Sequence, residues 1–195
     1  MKTKFETNRR GFTLIEILVV IGIIAVLASI LIPAAGHARR SALKRRAMVE
    51  MNSIKVAVME FYNDHKYMPW PSDPEDPKVG SDMWTGSEDQ QEGVMELLTG
   101  NNFLQKAYLQ IPEKSRPASK RLLFLDPWSG KENNFRYYVI GMDRNMDGVV
   151  LPDDFLGGGA AYVKEKVLVY SKGDPEEDKD ERDRILKTFD VITEE

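Results

Sequence analysis

The sequence contains no cysteine. Disulfide bonds, thiolate metal sites and cysteine nucleophiles are therefore excluded, whereas the cellular compartment stays open. Histidine is almost as scarce, since the chain has only His37 and His65. Nucleophile motifs, phosphate-binding loops and histidine-based zinc spacings are missing as well. The sequence therefore predicts a protein that is not an enzyme.

An excess of positive charge is also missing, because the formal net charge is -4. We expect no nucleic-acid partner on this ground. The one basic run, at residues 39–46, directly follows the most apolar part of the chain. Lipid headgroups or neighbouring subunits are simpler partners for basic side chains at that place. The length of 195 residues suits one domain of ordinary size.

The strong hydrophobicity is concentrated in one run, from Phe12 to Ile32. As an α-helix this run would be about 31 Å long, which matches a bilayer core of roughly 30 Å. A basic segment before an apolar run is also typical of a secretory signal peptide. This run is longer than a usual signal core, however, and residues 34–36 form only a weak cleavage site. We therefore expect a retained membrane helix.

Glu16 is an acidic residue near the start of this apolar run. A carboxylate inside a membrane span costs a few kcal/mol, so isolated ones are rare. One interpretation places Glu16 near the membrane surface, where the cost is small. The other interpretation pairs it with a cation inside an assembly.

The segment from Arg10 to Glu16, RGFTLIE, resembles the class III signal shared by type IV pilins and type II secretion pseudopilins. The resemblance implies that prepilin peptidase cuts between Gly11 and Phe12 and methylates the new amine of Phe12. It also implies an assembly role for Glu16, which would neutralise the Phe12 amine of a neighbouring subunit. Buried charges are tolerated only when they are paired, so this pairing would favour the correct register between subunits.

The family has a proline within its long helix, and Pro33 matches it. Because proline lacks an N–H group, we expect a kink or break near Ser29. Beyond Pro33, apolar residues recur at helical steps of three and four, which predicts a face that packs on the domain. These residues are Leu43, Ala47, Met51, Ile54, Val58 and Phe61.

Shorter elements are predicted after this helix. A helix is expected over residues 92–98, with Gly100 beyond its end, and strands over residues 122–125, 135–140 and 162–170. The segment from Asp126 to Gly130, DPWSG, is typical of a turn. It resembles the Asp-Pro-Trp-Gly turn of the major pseudopilins of type II secretion, which favours that branch of the family.

These patterns and the resemblance predict an α+β, pilin-like fold. A long N-terminal α-helix would protrude with its membrane half and pack its other half on a small antiparallel β-sheet. Residues 1–11 are interpreted as a leader peptide, residues 12–33 as the transmembrane and polymerisation helix, and residues 34–195 as the exported domain. The resemblance implies a cytoplasmic leader and a single-pass inner-membrane anchor, with the C-terminal domain on the periplasmic side.

A calcium site is one interpretation of the segment from Asp143 to Asp154. Side-chain oxygens at Asp143, Asn145 and Asp147 alternate along the chain, and Gly148 then permits a sharp turn. The carbonyl of Val149 and the carboxylate of Asp154 could supply further ligands. The other interpretation is an ordinary Asp/Asn/Gly turn between two strands, and the sequence does not decide between them.

A second calcium candidate follows only from the resemblance. Major pseudopilins carry a calcium loop near the C-terminus, and Ser171, Asp174 and Asp190 occupy similar places here. This chain has Pro175 where the family has glycine, and the charge run at residues 176–184 departs further from the pattern.

We expect a structural subunit of a periplasmic pseudopilus for type II protein secretion. Its implied partners are further copies of itself, minor pseudopilins, the inner-membrane secretion platform, prepilin peptidase and the membrane. A type IV pilin or minor pilin for adhesion, motility or DNA uptake is a close alternative. A membrane-tethered calcium-binding module that does not polymerise is the alternative from another class, although such an anchor has no use for Glu16.

Overall fold

A computed structural model describes residues 12–71, 82–130, 136–151, 161–175, 185–188 and 192–193 of the chain. Gly11, Asp154 and Asp190, which the sequence analysis singles out, lie outside the described residues. The chain divides into two compact units, residues 1–41 and residues 42–195. The expected α+β architecture, a long N-terminal helix and a small antiparallel sheet, is confirmed.

Helix α1 runs from Leu14 to His65. Pro33 lies inside it, and the helix continues through this position, so the break expected near Ser29 does not occur. Proline removes one backbone hydrogen bond and crowds the carbonyl four residues earlier, but the residues on both sides of Pro33 remain helical.

The first unit contains the N-terminal part of α1. The large apolar side chains from Phe12 to Ile32 are at least half exposed, with very few exceptions. This helix is long and apolar enough to cross a membrane, by length and composition. The most apolar stretch of this helix is not buried within the chain, which distinguishes it from the core helix of a globular protein.

The second unit buries most of the apolar face predicted for the rest of α1, although Leu43, the first residue of that face, is only half-buried. Ala47, Met51, Ile54, Val58 and Phe61 are all fully buried in one hydrophobic cluster. Helix α2, from Glu88 to Thr99, contributes Val94, Met95 and Leu98 to the same cluster. Residues four or three apart share one helix face, so the spacing explains why these side chains enter the core together.

Helix α2 has clear start and stop signals. Ser87 is its N-cap and forms a capping box with Gln90, in which each side chain bonds the other's backbone N–H. Gly100 follows the last turn with a φ of 123°, which is favourable only for glycine. The helix is therefore longer than the predicted 92–98, because its polar first turn lacks the apolar spacing used for that prediction.

The main antiparallel sheet consists of β1 (Met83–Trp84), β2 (Val139–Met142), β4 (Val167–Ser171) and β5 (Leu186–Lys187). Their order in the sheet is β1-β2-β4-β5. Strands β3 (Ala161–Tyr162) and β6 (Ile192–Thr193) form a separate antiparallel pair. Both faces of β2 and β4 are buried, so the sheet centre belongs to the core.

All three strand predictions need correction. The strand expected over residues 135–140 is present as β2, but it spans Val139–Met142, and Tyr137 before it makes only an isolated bridge. Residues 122–125 form no strand, and only Leu125 makes an isolated bridge, to Tyr137. The predicted strand 162–170 is two strands, because Val163 bridges Val150 and the charged residues 164–166 interrupt the ladder. The predicted turn at Asp126 is present, with Ser129 N donating to Asp126 O at 3.1 Å.

Candidate functional site

The first candidate site is the start of the exposed apolar helix. Thr13 is placed as the N-cap of α1, and Glu16 lies three residues later. The Glu16 N–H donates to Thr13 Oγ1 at 3.3 Å. In return, the Glu16 carboxylate accepts from the Thr13 N–H and from the Thr13 hydroxyl, both at 2.8 Å. This is a complete capping box, and it begins the helix at the expected position.

Both bonds from Thr13 end on the same oxygen of Glu16, Oε2. A carboxylate offers about four acceptor positions, so Glu16 keeps acceptor capacity, mainly on Oε1, for another donor. The residue is fully exposed, and a negative charge in the first turn is also favoured by the helix dipole. Glu16 can therefore cap its own helix and still accept a cation from a neighbour. The sequence analysis missed the capping role, although the spacing Thr-x-x-Glu signals it.

The second candidate site is the loop after β2. Asn145 and Asp147 bond mainly to each other: Asn145 Nδ2 donates to Asp147 Oδ2 at 2.7 Å, and the Asp147 N–H donates to Asn145 Oδ1 at 3.2 Å. The Val149 N–H donates to Asp147 Oδ1 at 2.8 Å. These two side chains are thus used within the turn. Gly148 has a φ of 85°, so the sharp bend predicted there is present.

Asp143 behaves differently from its loop neighbours. Its side chain is fully buried, and its Oδ2 accepts from the Gly148 N–H at 2.9 Å. Its Oδ1 is buried without a hydrogen-bond partner among the described residues. Asp82, from a distant part of the chain, has the same feature: Oδ2 accepts from the Leu151 N–H at 2.7 Å, and Oδ1 is buried and unpaired.

The two acidic regions affect each other electrostatically. Burial raises the pKa of the Asp82 carboxyl, and the negative charges of Asp147 and Asp143 raise it further, against the Leu151 hydrogen bond. Asp82 was not identified from the sequence, because it follows a proline-rich stretch that predicts only a loop. Within the described ranges no three acidic or histidine side chains cluster as a ready metal site, so any ion here needs backbone carbonyls or water as further ligands.

The third candidate, the C-terminal loop, contains a different arrangement. Ser171 Oγ donates to Asp126 Oδ2 at 2.9 Å, inside the core. The Arg136 guanidinium lies 3.7 Å from Asp126 and donates to Gly173 O at 2.6 Å. An arginine therefore supplies positive charge beside Asp126, the partner of Ser171, and beside the Gly173 carbonyl. Ser171 and Asp174 are both buried. The described part of this loop thus gives no separate support for a cation, and Asp190 lies outside it.

Asp126 joins the Asp-Pro-Trp turn to this network. Its Oδ1 accepts from the Trp128 N–H at 3.1 Å, which closes the turn, and its carboxyl group is almost fully buried. Burial raises the pKa of Asp126 to about 6, although Ser171 and Arg136 act in the opposite direction.

A buried polar network on α1 was not predicted from the sequence. Glu50 is 7% exposed and accepts from Tyr138 Oη at 2.6 Å, from Ser115 Oγ at 2.9 Å and from Arg46 Nε at 2.9 Å. Arg46 also donates to Ser115 Oγ at 2.7 Å. Burial of Tyr138, followed by its bond to Glu50, raises the pKa of the Tyr138 phenol. This network joins α1 to the loop and the strand region that pack on it.

Comparison with known proteins gives three findings. A family model described as the prokaryotic N-terminal methylation motif matches residues 7–32. The chain is 25% identical over 162 residues to a fimbrial protein of Neisseria meningitidis serogroup B, covering 83% of this chain and 90% of that protein. It is 37% identical over 68 residues to the type IV major pilin protein PilE of Neisseria gonorrhoeae, covering 35% of this chain and 40% of that protein. No solved structure matches the chain.

Proposed function

Because the chain belongs to the type IV pilin and pseudopilin family, we propose that it is a structural subunit of a periplasmic pseudopilus for type II protein secretion. Pilins polymerise into filaments, are processed by prepilin peptidase and are not enzymes. The methylation motif and the apolar helix fit a single-pass anchor in the inner membrane. In this proposal residues 34–195 lie in the periplasm, and residues 12–33 hold the polymer together.

The observation that carries the proposal is Glu16, an acidic residue at the start of an otherwise apolar, exposed helix within the matched motif. Cleavage before Phe12 would create a positive amine one turn away from it. In a polymer, these helices would be withdrawn from water, and each charge would need an opposite partner. The acceptor positions that remain free on Glu16 Oε1 allow it to pair with the amine of a neighbouring subunit while the capping box is kept.

The expected partners follow from this assembly. They are further copies of the chain, minor pseudopilins, the inner-membrane platform of the secretion machinery and prepilin peptidase. The Asp126 turn supports the pseudopilus in particular, because its Asp-Pro-Trp sequence resembles the major pseudopilins. Its buried aspartate closes the turn through Trp128 and joins it to Ser171.

A type IV pilin is the second candidate, favoured by the similarity to the fimbrial protein and to PilE. Deletion of the gene distinguishes the candidates. If the chain is a pseudopilus subunit, the deletion stops release of secreted enzymes and leaves surface pili intact. Loss of surface pili with normal secretion would favour the pilin and contradict the pseudopilus.

Substitutions at Glu16 test the assembly step and separate its two roles. Glu16→Gln keeps a capping side chain but removes the charge, whereas Thr13→Ala removes the capping hydroxyl and keeps the charge. We expect both variants to insert in the membrane, since neither adds charge to the span. In cells lacking the unmodified subunit, we expect filaments from Thr13→Ala and none from Glu16→Gln. Normal filaments from Glu16→Gln would contradict charge pairing and leave Glu16 as a helix cap.

A further inference from the structure

The end of the β1–β2 ladder places two acidic residues opposite each other. Met83 pairs with Met142 in antiparallel register, and Trp84 pairs with Gly141. One step beyond the ladder, Asp82 and Asp143 are therefore facing positions on adjacent segments. Like charges that face each other across a sheet destabilise it, so this pair needs a compensating interaction.

Each of the two carboxylates has one oxygen that lacks a compensating interaction. Asp143 Oδ1 and Asp82 Oδ1 are both buried and unpaired, while the second oxygen of each side chain is held by a backbone N–H. Native proteins rarely leave buried polar atoms unsatisfied. Two facing acids that each have a buried oxygen without a hydrogen-bond partner are therefore unusual in a folded protein.

The basic groups that the structure describes nearby are engaged elsewhere or stay apart. The Lys166 amine lies over the Tyr62 ring, at 4.9 Å from its centroid. Among the described residues, neither Asp82 nor Asp143 has a lysine or arginine nitrogen within ion-pair distance. The missing positive charge is therefore not supplied by the described part of the chain.

We propose that Asp82 and Asp143 hold a calcium ion between them, at the end of the β1–β2 ladder. Calcium accepts six to eight oxygen ligands in flexible geometry, including backbone carbonyls and water. Two carboxylates can therefore form the core of a site without a third acidic side chain. Asn145 and Asp147 shape the loop through their mutual bonds, and Asp147 adds negative charge nearby.

This site differs from the one that the loop sequence predicts. Asp82 comes from outside the loop, and Asn145 and Asp147 bond each other and the Val149 N–H within the turn. An ion would join the segment before β1 to the loop after β2. The Leu151 N–H already donates to Asp82 at 2.7 Å, and Trp84 Nε1 of β1 donates to Leu151 O at 3.0 Å beside it. The inference is independent of polymerisation, so it stands or fails apart from the proposed function.

Calcium binding can be measured on the full mature chain in detergent micelles by equilibrium dialysis. We expect one calcium ion per chain at millimolar calcium or below, the range of extracellular calcium modules, and weaker binding of magnesium. Asp82→Asn and Asp143→Asn should each weaken binding by more than about tenfold, since each removes a charged ligand. The matched control is Glu113→Gln, at an exposed position in the short 3₁₀ helix Glu113–Ser115, and it should bind normally.

Thermal unfolding in chelator gives a second readout. Without calcium, the two Asn variants should melt at or above the temperature of the unmodified chain, because the repulsion is gone and the backbone N–H bonds can remain. With calcium, only the unmodified chain and the Glu113→Gln control should gain in melting temperature. Absence of calcium binding, equal binding of magnesium, or unchanged affinity in Asp82→Asn would overturn the proposal. Lower melting temperatures of both variants in chelator would indicate instead that the two acids share a proton, and would also overturn it.

Discussion

Removal of the Tyr138 hydroxyl tests whether the Glu50 network holds α1 on the sheet. Tyr138→Phe deletes the hydrogen bond from Tyr138 Oη to Glu50 Oε2, 2.6 Å long, in a fully buried setting. The edge-to-face contact of the Tyr138 ring with Phe124, at 5.3 Å between centroids, can remain. The perturbation is thus confined to one hydrogen bond to a charged group, which contributes about 1.5–3 kcal/mol.

Denaturant unfolding followed by tryptophan fluorescence measures this loss. All three tryptophans, Trp70, Trp84 and Trp128, lie in the second unit, so the signal reports that unit and not the membrane helix. We expect Tyr138→Phe to lower the free energy of unfolding by about 2 kcal/mol. The control is Tyr137→Phe, whose hydroxyl makes only an exposed 3.2 Å bond to Gly86 O, and it should cost less than about 1 kcal/mol.

A double-mutant cycle with Glu50→Gln separates the pair from its surroundings. Ser115 and Arg46 still bond the side chain at position 50 when Tyr138 is changed, so the cycle isolates the Tyr138–Glu50 term. We expect a coupling free energy above about 0.5 kcal/mol, as for groups in one network. A loss below about 0.5 kcal/mol for Tyr138→Phe, together with no coupling, would refute the reasoning.

Two further predictions concern the sheet and its buried turn. Gly141→Ala would place a Cβ atom 2.6 Å from the Trp84 ring, so we expect overpacking to lower the free energy of unfolding by about 1–3 kcal/mol. The control is Gly86→Ala, whose Cβ atom would have its nearest neighbour at 3.7 Å. Equal melting temperatures for the two variants would contradict this packing. Asp126 has a pKa raised to about 6 by burial, so its protonated form favours the folded state at acid pH. That contribution, at most about 3 kcal/mol, is lost as pH rises from about 4 to about 6. Asp126→Asn should remove this pH-dependent stabilisation when the free energy of unfolding is measured between about pH 4 and about pH 6. Parallel curves of stability against pH for the two proteins would contradict the prediction.

The elements that the sequence predicts well are those with local signals. The apolar stripe from Ala47 to Phe61 follows the helix period and is buried as predicted. Gly100 ends α2, and the Asp126 turn forms where the Asp-Pro pair indicates it. In each case residues that are neighbours in sequence determine the conformation, so the local sequence is sufficient to predict it.

The elements that were missed depend on contacts between distant residues. Glu50 interrupts an apolar stripe, and its partners Ser115 and Tyr138 lie 65 and 88 residues away in sequence. Asp82 acquires its significance only because β1 pairs with β2. The run from residue 162 to 170 is apolar enough for one strand, but the bridge between Val163 and Val150 divides it. Such pairings are set by the whole fold and not by local spacing.

The mass of the mature N-terminus tests the central claim, that this chain is a processed subunit that enters a filament. The protein is expressed with prepilin peptidase, isolated from membranes and analysed as an intact chain by mass spectrometry. We predict loss of residues 1–11 and one added methyl group, located on the amine of Phe12 by fragmentation. A chain that retains Met1, or one that begins after Gly36, would contradict the account.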